Sequence, residues 1–162
     1  MHWYDLYQYI SFRIFMETFK APGLNDNGKK VKIIKMSSAE QAAALIRKGK
    51  FAEMPSMQQG WRFNFDKELR KLAGATGYIL VAEETPDISE GCMIFTLNQK
   101  MIPYMAYLEV APHNKGDSKK YDRVAGCLIA FAYRQSVLQG KEHFSGMLFF
   151  DVMEESEADA KS

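Results

Sequence analysis

Five consecutive blocks decide the fold: YMAYLEV (residues 104–110), APHNKGDSKKYD (111–122), RVAGCLIAFAYRQSVLQG (123–140), KEHFSG (141–146) and MLFFDV (147–152). The first, extended back to Pro103, is apolar and aromatic over the length of one strand. In the third, Val124, Cys127, Leu128, Phe131, Ala132 and Leu138 fall on one helical stripe that Gly140 closes. From Gly146 the last block is almost wholly apolar, which predicts a strand covered on both faces. Strand, loop, helix and strand in this order describe a β-α-β crossover whose two strands are parallel neighbours.

Upstream, residues 31–36 are a short β-branched run and read as a strand. Ser38 and Gln41 give the S-x-x-Q capping pattern, so a helix carrying Ala42, Leu45 and Ile46 is predicted to about Lys48, ended by Gly49. Residues 51–65 are irregular, with Pro55 and Gly60 among Met54, Met57, Trp61, Phe63 and Phe65. A short helix follows, from Asp66 as cap to Leu72, stopped by Gly74. Residues 78–82 and 92–97 are two further strands, joined by a turn at 83–90 and separated from the strand at 103–110 by a turn at 98–100. The order is β-α-α-β-β-β-α-β, a mixed α/β (α+β) sheet.

Residues 1–20 carry Trp3, Leu6, Tyr7, Ile10 and Ile14 at helical spacing, with Phe12, Phe15 and Phe19 widening the stripe. They read as an extra amphipathic helix that docks on its own domain or on a second subunit. Asp5, Gln8, Arg13 and Glu17 interrupt them too often for a membrane span. Residues 21–30 read as a linker, 31–153 as the domain and 154–162 as a disordered acidic tail.

Bulk numbers set outer limits. The 162 residues suit one domain, and 21 basic against 20 acidic residues give a net charge of +1. That excludes the strong overall basic field of many nucleic-acid binders, and neither nucleic acid nor membrane is an expected partner. Cys92 and Cys127 lie far apart and form no CxxC pair, so no metal site or disulfide framework is expected and a cytoplasmic location is the simplest.

A helix that starts just after a strand end aims unpaired N–H groups, and the positive end of its dipole, at the sheet edge. Around this helix start Lys115, Lys119, Lys120 and Arg123 outnumber Asp117 and Asp122, while Gly116, Ala125 and Gly126 leave room for close approach to the backbone. These features suit a pyrophosphate.

The stretch resembles the central motif of the GNAT superfamily of acyl-CoA N-acyltransferases, in which L-x-V-x-P leads into Q/R-x-x-G-x-G/A and then a helix opening with paired aliphatic residues. Leu108, Val110 and Pro112 match the strand pattern, Lys120 falls at the Gln/Arg position, and Ala125 at the Gly/Ala. Leu128 and Ile129 match the aliphatic pair, and Ala132 the small residue one turn on. Arg123 stands where the family has its first glycine. The resemblance covers residues 31–152 and implies that residues 147–152 form the strand that splays from its neighbour to open an acyl-CoA slot. It implies acetyl-CoA as co-substrate, held by Leu108, Val110, Lys115, Gly116, Lys120, Arg123, Val124, Ala125 and Gly126, and acetyl transfer to an amine by direct attack. Backbone N–H groups near Leu108–Val110 would polarise the thioester carbonyl. Glu109 and Glu84 are the candidate bases, with Glu83 beside the latter, and Tyr104 and Tyr107 the candidate acids. Strand alternation puts Tyr107 and Glu109 on one face and Tyr104, Leu108 and Val110 on the other.

The family continues with another helix and two strands, and that helix often carries a tyrosine that protonates the leaving thiolate; here ten residues follow Val152. Two readings result, an N-acyltransferase and a non-catalytic GNAT-like assembly module lacking the C-terminal part of the fold. A homodimer through the open sheet edge or the N-terminal helix is expected on either. Taken alone, the lysine cluster reads as a solvated loop, Glu109 as an ordinary strand residue, His113 as surface and Cys127 as core.

Overall fold

The computed structural model describes residues 28–151; the predicted N-terminal helix and acidic tail lie outside them, as does most of the linker. Six strands, β1 (Lys29–Lys35), β2 (Glu40–Lys48), β3 (Thr76–Ala82), β4 (Gly91–Asn98), β5 (Ile102–Val110) and β6 (Tyr121–Asp122), form one sheet in the order β5-β4-β3-β2-β1-β6. Every ladder in it is antiparallel. Two α-helices, α1 (Phe65–Lys71) and α2 (Val124–Gln139), lie on opposite faces of this α+β layer structure.

The sheet curls so that α2 touches β1, β4 and β5 together. Ile33, Ile46, Leu80, Met93, Leu128 and Phe131 are fully buried between them. On the other face Met54, Trp61, Phe65 and Leu69 pack on Ile79, Val81, Cys92 and Ile94. β3 is buried on both faces, as its unbroken apolar run predicts: Tyr78, Leu80 and Ala82 face α2, while Ile79 and Val81 face α1. The aromatic cluster at 51–65 is therefore mostly core, arranged around two 3-10 turns (Phe51–Glu53 and Met57–Gln59).

Several expectations are corrected. The predicted helix at 38–48 is strand β2. Ala39, at φ 56°, closes a tight reversal after β1, and β2 then pairs with β1 on one side and β3 on the other. Alternation puts Ala44 and Ile46 in the α2 core, with Leu45 toward the other face. A central strand satisfies both rows of its backbone groups, and that tertiary gain overrides the helix preference of EQAAALIRK. The predicted linker accordingly ends before Lys29, which already pairs with Ile46.

The final apolar run is not a doubly covered strand. One parallel bridge joins Phe149 to Tyr104, with Met105 N–H donating to Phe149 at 2.9 Å and Phe149 N–H to Pro103 at 3.0 Å. Met147, Phe149 and Phe150 are about half exposed, and Leu138, placed by periodicity on the buried stripe of α2, is exposed too. The sequence also underestimated the loop before α2, where Pro112–Asn114 is a 3-10 turn and β6 adds two residues to the β1 edge. The cap of α1 is Asn64, not Asp66.

Candidate functional site at the open edge of β5

Phe95 pairs with Met105 and Ile94 with Tyr107, so Ala106 is an extra residue, a bulge in β5. The bulge overturns the alternation expected from the sequence. Ala106 and Tyr107 both pack toward the α1 face, whereas Met105, Leu108 and Val110 face α2. Tyr104, next to Met105, shares the Tyr107 side.

Beyond the Tyr104–Phe149 bridge, among the described residues, no strand pairs with the outer edge of β5. An open cleft of about 540 Å³ fills this place, lined by Arg62, Phe63, Tyr104, Tyr107, Leu108, Ile129, Phe150 and Asp151. The Tyr104 hydroxyl donates to the Asp151 carboxylate at 2.5 Å, and this bond, ahead of burial, raises the phenol pKa. The Tyr107 hydroxyl donates to Glu68 at 2.8 Å, which raises the phenol and lowers the Glu68 carboxyl. Phe63 stacks edge-on to Tyr107, with centroids 5.1 Å apart.

The start of α2 lies by Val110, at the other end of β5 from the Tyr104–Phe149 bridge, and α2 reaches the cleft itself through Ile129. Gly91 pairs with Val110, and a Cβ on Gly91 would stand 2.6 Å from Val124 and 2.8 Å from Leu128. The absence of that carbon lets the first turn of α2 sit directly on β4. Arg123 is the N-cap, with φ 70° and ψ 7°, the left-handed region that glycine enters freely and arginine rarely. The position where the resemblance expects glycine thus has a conformation suited to glycine. No side-chain hydrogen bond caps the helix. Asp122 accepts from the Arg123 N–H at 2.8 Å and from Lys119 at 3.0 Å, and the lysine, then the N–H bond, depresses its pKa.

The residues singled out from sequence divide into three groups. Leu108 and Tyr104 line the cleft, Val110 packs beside it on the core, and Val124, Ala125 and Gly126 open the helix. Lys120 lies 5.3 Å from the Tyr121 ring centroid, and Gly116, at φ 74°, has open space where a Cβ would stand. Glu109, Lys115 and Glu84 are engaged elsewhere. Buried Glu109 accepts the N–H groups of Arg62 (2.8 Å) and Phe63 (3.2 Å) and the Lys115 ammonium (2.5 Å), which ties the 61–63 segment to β5. Glu84 accepts from Tyr121 (2.9 Å) and Lys35 (3.3 Å) beside β6, and does not line the cleft. Burial first, and then Glu84, push the Tyr121 phenol up to about 12.

Asp151 and Arg62 belong to the cleft and escaped the sequence reading, because only folding brings these positions to the β5 edge; Phe63 and Ile129, read there only as part of the aromatic stretch and of the aliphatic pair, line it too. Glu90 escaped the sequence reading as well. Fully buried, it holds His113 at 2.7 Å and Asn114 at 3.1 Å, anchoring the loop that carries the lysines. Cys127 is core, and burial raises its thiol to about 11. Among the described residues no group of three or more His, Cys, Asp or Glu is placed to hold a metal ion, and no helix is long and apolar enough to cross a membrane. No protein-family model, curated protein or solved structure matches this chain.

Proposed function

We propose that this chain binds an acyl-CoA along the open edge of β5 and transfers its acyl group to an amine. The observation that carries the reading is the parting of β5 from residues 147–151, together with a helix start near Val110, further along the same strand, that no side chain caps. A helix N-terminus presents several unpaired amide donors and a positive dipole end, which suit a diphosphate. Lys120 and Arg123 flank it, and the left-handed turn at Arg123 supports the same reading. With β2 taken as the first strand of the family core, the order around the sheet becomes strand, helical segment, three antiparallel strands, long helix, parallel segment.

In this reading the thioester lies by Leu108 and Ile129, and acyl transfer forms a C–N bond as the C–S bond breaks. The nitrogen's surplus proton must reach the departing sulfur. Tyr104, held by Asp151, is the phenol placed to give a proton and regain one. Glu109 serves by fixing the 61–63 lip of the cleft, since its oxygens are already taken by three donors.

The second reading, a non-catalytic assembly module, is favoured by the Asp122 carboxylate at the helix mouth, which occupies the Arg123 N–H and opposes a second anion. Thermal unfolding with and without acetyl-CoA separates the two. A ligand at 100 times its Kd stabilises the fold by roughly 2.7 kcal/mol. The first reading expects this upward shift in Tm, and its loss in Lys120→Glu and Arg123→Glu chains. No shift at millimolar acetyl-CoA leaves the assembly module. A shift that survives both substitutions refutes the placement of the phosphates.

A further inference from the structure

Five large apolar side chains stand exposed at one end of the molecule: Val137 (47%) and Leu138 (59%) on the last turn of α2, and Met147 (49%), Phe149 (46%) and Phe150 (49%) after it. The chain after α2 folds back on its last turn: Ser145 Oγ donates to the Val137 carbonyl at 3.0 Å, the Gly146 N–H to Ser136 at 3.2 Å, and the Phe149 ring lies 6.4 Å from that of Phe144. Gly146 packs 3.9 Å from Val137 by the position its Cβ would take, and Met147 follows it directly. A soluble chain rarely leaves such a group open to water unless something covers it.

The start of β1 lies beside this face. Lys29 is buried, and β1 packs against α2, with the Cys127 thiol donating to the Lys32 carbonyl at 3.6 Å; burial and then the Arg134 guanidinium lower the Lys29 ammonium pKa, in keeping with that placement. Arg134, Val137 and Leu138 are spaced i, i+3 and i+4, so they share one side of the helix. Residues 1–27 therefore enter the described structure about one helical turn from the apolar face. Residues 21–27 alone can span roughly 23 Å when extended, while one helical turn advances only about 5.4 Å.

We propose that residues 1–20 dock on this face of their own chain, with Trp3, Leu6, Tyr7, Ile10 and Ile14 laid against Val137, Leu138, Met147, Phe149 and Phe150. Both partners are apolar, five large exposed side chains on the face and five at helical spacing in residues 1–20. Tethering decides between a chain's own segment and that of a second copy. A short linker gives a local concentration of roughly millimolar, about a hundredfold above a chain concentration of about 10 µM. Phe150 also lines the cleft, but the test reads crosslinks and not acyl-CoA binding, so this inference and the acyltransferase reading fail separately.

The test uses the full chain with the photo-crosslinker p-benzoylphenylalanine in place of Leu138 and, in a second preparation, Phe150. Both positions are exposed, so the replacement leaves the core intact. Equal amounts of ¹⁵N-labelled and unlabelled chain are mixed at micromolar concentration, irradiated, digested and analysed by mass spectrometry. The expected product joins the probe to a peptide from residues 1–20 of the same isotope, and exceeds mixed-isotope product by at least about tenfold given that local concentration. A full-length Ile10→Asp, Ile14→Asp chain should lose most of that product. Mixed-isotope and same-isotope links in equal amounts, the statistical result of pairing between copies, would assign the face to a second copy. Absence of any link to residues 1–20 from both probe positions would overturn the proposal outright.

Discussion

Gly91→Ala is the sharpest probe of how α2 is seated. The added carbon would lie 2.6 Å from a Val124 methyl and 2.8 Å from a Leu128 methyl, where carbon atoms normally rest about 3.5–4.0 Å apart. Leu128 can rotate aside, but Val124 is β-branched and stiff about χ1, so its relief must come from a shift of the first helical turn. Overpacking of this kind costs about 1–3 kcal/mol. At about 2–4 °C per kcal/mol for a chain of this size, Tm falls by roughly 2–12 °C in a scanning fluorimetry or calorimetry experiment. Because the displaced turn is the one that presents the amide donors, the same substitution should also reduce the acetyl-CoA shift. A Gly91→Ala chain that melts with the parent would refute the close seating of α2 on β4, and with it the link between the helix start and the cleft.

Glu109→Gln keeps the side chain's shape but leaves one acceptor oxygen for three donors, which should cost about 1–3 kcal/mol. A large loss of activity with no change in Tm would instead mark Glu109 as a base. Arg123→Gly relieves a left-handed arginine, and should raise stability by about 0.5–1 kcal/mol once glycine's greater unfolded-state freedom is set against the relief; unfolding in urea reads the change, and an unchanged or lower midpoint would contradict the strain. Glu53, Glu68, Glu84 and Asp122 all have depressed pKa values, held down first by Arg47, Tyr107, Tyr121 and Lys119 respectively. Below the ordinary carboxylate values of about 4 the unfolded chain binds more protons than the folded one, so Tm should be flat from pH 7 to about 5 and then fall steadily. A Tm that holds or rises on acidification to about pH 3 would contradict these pairings.

Much of the sheet was legible because its strands are short, apolar and bounded by turn residues. β3, β4, β5 and α2 follow directly from runs such as YILVA and CMIFTL and from the 3.6-residue stripe that begins at Val124. β2 was misread because its signals are local ones. A Ser-x-x-Gln start and three alanines favour a helix in isolation, and nothing in residues 38–48 records that β1 and β3 wait on either side. The site was harder still. Tyr104 and Tyr107 were visible as candidates, but the bulge at Ala106 that puts them on one face depends on cross-strand pairing with Ile94 and Phe95. Asp151 gains its meaning only from a hydroxyl 47 residues away.

Backbone strain offers an independent line of argument about where function lies. Five non-glycine residues among those described have positive φ. Ala39, Gln99 and Lys100 lie where hairpins reverse, and Glu142 begins a 3-10 turn, so chain reversal explains all four. Arg123 alone begins a long helix in this conformation. A glycine there would remove strain of about 1–2 kcal/mol, yet the chain carries its bulkiest cation at the point where the amide donors of α2 open. Strained residues persist where the surroundings over-determine them, and they gather at ligand clamps and active sites. The bulge at Ala106 is a second irregularity, on the strand that lines the cleft. On the acyl-CoA reading proposed above each irregularity has a use, the bulge in shaping the cleft edge of β5 and the left-handed Arg123 in setting a cation at the helix start.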